Sequence, residues 1–141
     1  MKQDKAAILI KKAALEFDKV TNTWLEQYGL TSSQYKVIKY LYEEADNGVR
    51  LVDLEKYYSM THPTAIGLVQ NLEKKGFVTY TQNPNHARSR FIVPTQRALD
   101  MREELESIGD GMEAELTKRL TEKERKELVG LLCKMLEITE E

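Results

Sequence analysis

A mainly α fold with one small β-hairpin is what this sequence predicts, and three observations predict it. Apolar residues recur at helical spacing through both ends of the chain. Threonine-headed helix starts punctuate it at Thr31, Thr61 and Thr121. A single change of period, to β-branched and aromatic residues around a polar loop, falls between residues 77 and 93. With 141 residues, 41% of them hydrophobic and 31% charged, the chain reads as one folded domain, 1–141, rather than a disordered or fibrous segment.

The first helix is predicted over residues 5–28, where Ile10, Ala13, Ala14, Phe17, Val20, Trp24 and Tyr28 share a face. Gly29 stops it. Thr31-Ser32-Ser33-Gln34 is a capping box, with Thr31 and Gln34 satisfying each other's amides. It opens a second helix that buries Tyr35, Val37, Ile38, Leu41 and Tyr42. Asp46-Asn47-Gly48 signals a turn, and a short third helix over residues 50–57 carries Leu51, Leu54 and Tyr57. Thr61 caps a fourth helix, in whose first turn Pro63 forfeits no hydrogen bond. Ala65, Leu68, Val69 and Leu72 face inward, and Gly76 ends it.

Phe77–Thr81 and Phe91–Val93 then read as two short strands around a polar loop from Gln82 to Arg90. After Pro94 a helical pattern continues to Leu120 through Leu99, Met101, Leu105, Ile108, Met112 and Leu116. Gly109 and Gly111 each cost roughly 1 kcal/mol inside a helix. A bend is expected there rather than an end, because the apolar spacing stays in phase. Thr121-Glu122-Lys123-Glu124 is a second capping box. It starts a last helix with Leu128, Leu131, Leu132, Met135 and Leu136.

Composition narrows the function. No apolar run approaches the ~18 residues of a membrane span, and the N-terminal segment reads as an amphipathic helix rather than an export signal. Cys133 alone allows neither an intrachain disulfide nor a cysteine-based zinc site. His62 and His86 lack a carboxylate cluster, so no metal and no cofactor is expected. A glycine-rich phosphate loop, a nucleophile elbow and a HExxH helix are all missing, and the enzyme reading finds no support. A cytoplasmic location is expected. Net charge is −2, but unevenly spread. Residues 48–95 carry six Lys and Arg against three carboxylates, a net +3 that leaves −5 for the remainder. A basic middle between acidic ends suits a phosphate-facing lobe.

Helices two to four followed by a hairpin make a winged helix-turn-helix. A helix fits the major groove, where base edges are distinguishable. On the fourth helix the outward stripe holds His62, Ile66, Gly67, Gln70, Asn71 and Lys74. Gln70 and Asn71 suit bidentate contact to adenine, and Lys74 suits a phosphate. Thr61 and Thr64 sit at a helix N-terminus, which favours phosphate. Arg88 and Arg90 are the wing's candidates. Residues 31–95 form the winged-helix lobe, and 1–30 and 96–141 carry apolar stripes that the lobe covers only in part. A homodimer through these terminal helices is therefore expected. Trp24, Tyr28, Tyr35 and Tyr42 read either as core and dimer interface or as an effector pocket for a small aromatic ligand.

The run Ser59-Met60-Thr61-His62-Pro63-Thr64-Ala65, with Leu72-Glu73-Lys74-Lys75-Gly76-Phe77-Val78, resembles the recognition helix of the MarR (multiple antibiotic resistance regulator) family and its exit into the wing. Asn83-Pro84 through Arg88, then Val93-Pro94-Thr95, resembles that family's wing, and the likeness covers nearly the whole chain. It implies a triangular homodimer on pseudo-palindromic double-stranded DNA, a transcription regulator of repressor type, often released by small ligands. Two departures stand out. Where the family wing usually reads Asp-x-Arg, this chain has His86, Ala87 and Arg88; where a polar residue and an Arg are common in the recognition helix, it has Ile66 and Gly67. The alternative is a winged-helix protein-interaction module that has lost DNA binding. An isotherm on random duplex DNA at low salt separates the two.

Overall fold

Threonine hydroxyls set where most of the helices begin. In the computed structural model, which describes residues 5–86 and 88–139, Thr31 and Thr121 each form the reciprocal capping box, while Thr61 and Thr95 accept from the third amide of the helix that follows. The elements run α1 (Ala6–Leu25), α2 (Ser32–Glu44), α3 (Leu51–Tyr58), α4 (His62–Lys74), β1 (Val78–Gln82), β2 (Arg90–Pro94), α5 (Gln96–Asp100), α6 (Arg102–Leu116) and α7 (Glu122–Leu136). Short 3₁₀ turns over Glu26–Tyr28 and Ala45–Asn47 close α1 and α2. Gly29 then adopts φ +68°, a left-handed cap that glycine takes without a side-chain clash.

The core lies where α2, α3 and α4 meet the hairpin and the start of α6. Val37, Ile38, Leu41, Leu54, Val69, Leu72, Phe77, Ile92 and Leu105 are all sealed within one apolar cluster. Two tyrosines of α2 anchor this lobe to the following helices through backbone carbonyls. The Tyr35 hydroxyl donates to Leu105 O at 2.7 Å, and the Tyr42 hydroxyl donates to Ala98 O. Tyr58 of α3 donates to Lys36 O at 2.7 Å, fastening α3 to α2. Each buried hydroxyl is thereby satisfied, which burial requires.

The hairpin pairs Val78 with Pro94 through Gln82 with Arg90, antiparallel. Its base gains a third, one-residue partner that the sequence pattern does not announce. Val49 bridges Ile92, accepting the Ile92 amide at 2.7 Å. The wing is thereby tied to the segment just ahead of α3.

Two expectations shift. The interruption in the long helix comes at Met101 (φ −93°, ψ 0°), whereas α6 runs unbroken through Gly109 and Gly111. Those glycines exist for close packing: a Cβ on Gly109 would fall 2.6 Å from the Tyr35 hydroxyl, and one on Gly111 would fall 2.6 Å from the Trp24 ring. On α1 the residues that are sealed are Thr21 and Leu25, while Ile10, Ala13 and Ala14 are exposed. Among the described residues, nothing covers the apolar face of the N-terminal half of α1. The same holds for α7, which has no buried residue; Leu131 and Leu136 are 62% and 63% exposed.

Candidate nucleic-acid interface

Helix α4 is held from behind and open in front. Ala65, Val69 and Leu72 are buried on its inner face, against α2 and α3. Its first turn is fixed by Thr61, whose hydroxyl accepts the Thr64 amide at 3.4 Å and donates to the Thr64 hydroxyl at 2.9 Å. Pro63 occupies the first turn, as its missing N–H allows. Thr61, His62, Thr64, Gln70, Asn71 and Lys74 are all exposed. Ile66 and Gly67, expected on the fully open stripe, are half-buried instead. A side chain added at Gly67 would meet nothing within 4 Å.

The wing stands beside this helix. Asn83 shapes its loop, accepting the Asn85 amide on its side-chain oxygen at 2.9 Å. Arg88 is exposed beyond that turn. Arg90, at the start of β2, lays its guanidinium 4.0 Å from the centroid of the Tyr80 ring. Between wing and helices lies a cleft of about 370 Å³ whose wall includes Arg50, Val52, Glu55, His62, Tyr80 and Arg90.

Charge pairing inside this cleft is selective. The Arg50 amide donates to Asp53 at 2.8 Å, and its guanidinium reaches the same carboxylate at 3.1 and 3.3 Å. Partial burial alone pushes the Asp53 carboxyl up, but the Arg50 hydrogen bonds outweigh it and hold the group below the usual carboxylate range. His62 Nδ1 lies 3.2 Å from Glu55 Oε2. No group of three or more His, Cys, Asp or Glu among the described residues is placed to hold a metal ion.

The comparisons with known proteins fit this geometry. The family model described as MarR family matches residues 28–89. The S. aureus MepR–DNA complex superposes with a TM-score of 0.87 at 28% identity, covering 96% of this chain and 98% of that one. The reduced form of MarR from E. coli superposes at 0.82 with 27% identity, over 96% and 99% of the two chains. A cysteine mutant of E. coli MarR complexed with operator DNA superposes at 0.82, also 27% identical, over 92% of each. No curated protein matches the chain.

Over residues 28–89 the chain is similar to the MarR family, and nearly its whole length shares the fold of MarR and MepR.

Helix α4 is braced by residues that sequence reasoning passed over. Lys75, expected only as part of the basic middle, is half-buried. It donates to Gly29 O at 2.5 Å and to Gln34 Oε1 at 2.9 Å, so the end of α4 is tied to the α2 cap. Arg97 donates to Lys75 O and stacks over Phe77, its guanidinium 4.6 Å from the ring centroid. The signal for both was present but ambiguous, since a lysine after a recognition helix reads equally well as a phosphate contact.

The four aromatics considered as an effector pocket are engaged at separate places in the fold. Tyr35 and Tyr42 are core pillars with satisfied hydroxyls. Tyr28 donates to Glu104 at 2.5 Å, and Trp24 packs on Gly111. A cleft of about 540 Å³ near the α1–α2 junction is walled instead by Asp18, Asn22, Glu26, Gly29, Thr31 and neighbouring serines. Among the described residues no helix is long and apolar enough to cross a membrane.

Proposed function

We propose that this chain is a DNA-binding transcription regulator of the MarR family that works as a twofold dimer, with α4 in the major groove and the wing beside it. The observation that carries the reading is the outer face of α4. Gln70, Asn71 and Lys74 are exposed, engage no side chain among the described residues, and are aimed from a helix fixed at both ends. Gln70 and Asn71 read adenine edges, while Lys74, Thr61 and Thr64 meet phosphate. His62, held by Glu55, stands at the mouth of the groove-facing turn.

Two relatives of nearly full coverage were determined with DNA bound, MepR and MarR, which supports the same partner here. The uncovered apolar faces of α1 and α7 support a dimer, and a dimer calls for a pseudo-palindromic site. The finer reading is a cytoplasmic repressor, not an enzyme, that occludes promoter DNA when bound. A ligand that released it would have to prefer the DNA-incompetent arrangement.

A binding-site selection with the purified protein tests the reading, followed by isotherms on the selected duplex and a scrambled one. A twofold-symmetric motif bound more tightly than the scrambled duplex is expected. An absence of binding to either duplex, even at low salt, would overturn the reading in favour of a protein-interaction module.

A further inference from the structure

Three side chains that carry or can take positive charge line the cleft between α3, the first turn of α4 and the wing: Arg50, His62 and Arg90. Two are committed within the chain. Arg50 reaches the Asp53 carboxylate with two guanidinium nitrogens at 3.1 and 3.3 Å, and His62 lies 3.2 Å from Glu55. Arg90 has no such partner among the described residues. It rests instead on an aromatic face, 4.0 Å from the Tyr80 centroid.

That difference matters chemically. A carboxylate occupies a guanidinium's in-plane N–H donors and cancels its charge. A ring attracts the flat face and leaves both charge and donors for another ligand. The strand register explains the contact. Tyr80 pairs with Ile92, which places Arg90 two residues along on the same face, the diagonal position that long side chains span.

The geometry points to Tyr80 as a positioning residue for DNA, holding the Arg90 guanidinium at the cleft so that it meets a backbone phosphate. The inference rests on the DNA reading above and adds to it the way this wing fixes a cation. His86 stands where the wing carboxylate of the family is usual, so Arg88 lacks that orienting partner, and the ordered wing cation is Arg90.

Equilibrium binding of the full chain and its variants to a random-sequence duplex, measured over a series of salt concentrations, tests it. Tyr80→Leu keeps an apolar side chain on the strand and removes the π face. It is expected to weaken binding by a dimer roughly 5- to 30-fold, the square of the two- to fivefold that an exposed cation–π contact sustains, and to shallow the salt slope. Tyr80→Phe, which keeps the ring, restores parental binding. In an Arg90→Gln background, Tyr80→Leu adds nothing further. Binding by Tyr80→Leu that equals the parent's at every salt concentration overturns the positioning role and leaves the DNA reading intact. So do effects of Tyr80→Leu and Arg90→Gln that multiply, or a loss that Tyr80→Phe shares along with a lowered melting temperature. Failure of the parent to bind any duplex overturns both.

Discussion

The hydroxyl of Tyr35 sits 2.6 Å from where Gly109 would carry a Cβ, while it donates to Leu105 O at 2.7 Å one turn earlier on the same helix. The Tyr35 side chain thus reaches across from α2 to α6 because position 109 has no side chain. A glycine inside a helix is ordinarily a liability, and alanine there stabilises by roughly 0.5–1 kcal/mol. Here the sign should reverse. Gly109→Ala has to displace a buried hydroxyl from its acceptor, and a broken buried hydrogen bond costs about 1–3 kcal/mol. Gly67→Ala is the control, with open space around the new methyl, and should stabilise by roughly 0.5–1 kcal/mol. Chemical denaturation of the two variants checks the pair; stabilisation by both would refute the packing role of Gly109.

Gly111 makes the same point through a spectroscopic probe. Its missing side chain leaves room for the Trp24 ring, which a Cβ would approach to 2.6 Å. Trp24 is the single tryptophan, so Gly111→Ala should shift the emission spectrum as the ring moves outward. An unchanged spectrum would mean that the helix, not the indole, gives way.

The terminal helices supply a prediction about assembly. Leu131 and Leu136 on α7 are more than half exposed, as are Leu15 on α1 and Met135 on α7. A stripe of that extent is covered in a stable twofold interface, expected to bury more than about 2,000 Å² in total. Light scattering at micromolar concentration should give twice the mass of the chain. Leu131→Asp combined with Leu136→Asp should give a monomer with weakened DNA binding. A monomeric parent would remove the twofold reading of the DNA site.

Alkaline pH offers an independent check on the α2 pillars. Burial, aided by the Glu106 charge, pushes the Tyr42 hydroxyl up to about 12 from its ordinary 10.0. The folded state therefore holds this proton more tightly than the unfolded chain. Its contribution to stability is complete below pH 10 and disappears as pH rises from 10 toward 12. Denaturant titrations should show stability falling across that window, and Tyr42→Phe should fall less steeply. An equal slope in both proteins would place the alkaline loss on another group.

Local rules of the chain were legible where one residue decides the outcome. The threonine caps, the left-handed Gly29, the inward faces of α2 and most of α4, and the hairpin all follow from neighbours in sequence. What could not be read depends on distant partners. The fate of Gly109 and Gly111 turns on aromatics more than 70 positions away. Which face of α1 is sealed is settled by where the helix leaves the lobe, so Leu25 is buried and Ile10 is not. On the interface, the open side of α4 was visible as a polar stripe. The ordering of Arg90 by Tyr80 was not, because it needs the strand register. Lys75 shows the limit most clearly: in sequence it is one more charge of the basic middle, and in the fold it is a helix tether.

The wing tip and the recognition helix should fail in different ways when altered. Arg88 is exposed in the loop after Asn85, where a long guanidinium can enter a narrow minor groove and respond to its negative potential. Such a contact reads groove width more than base identity. Arg88→Ala is expected to weaken specific binding by roughly 1–3 kcal/mol and to lower the salt dependence by about one charge per wing. Gln70→Ala and Asn71→Ala should instead narrow the gap between selected and scrambled duplexes while leaving the salt slope nearly unchanged, since base-edge contacts release few counterions. Arg88 is the more exposed of these claims, because no carboxylate stands at His86 to orient it. If Arg88→Ala binds like the parent at all salt concentrations while Arg90→Gln does not, the wing works from the strand it is built on and its tip is dispensable.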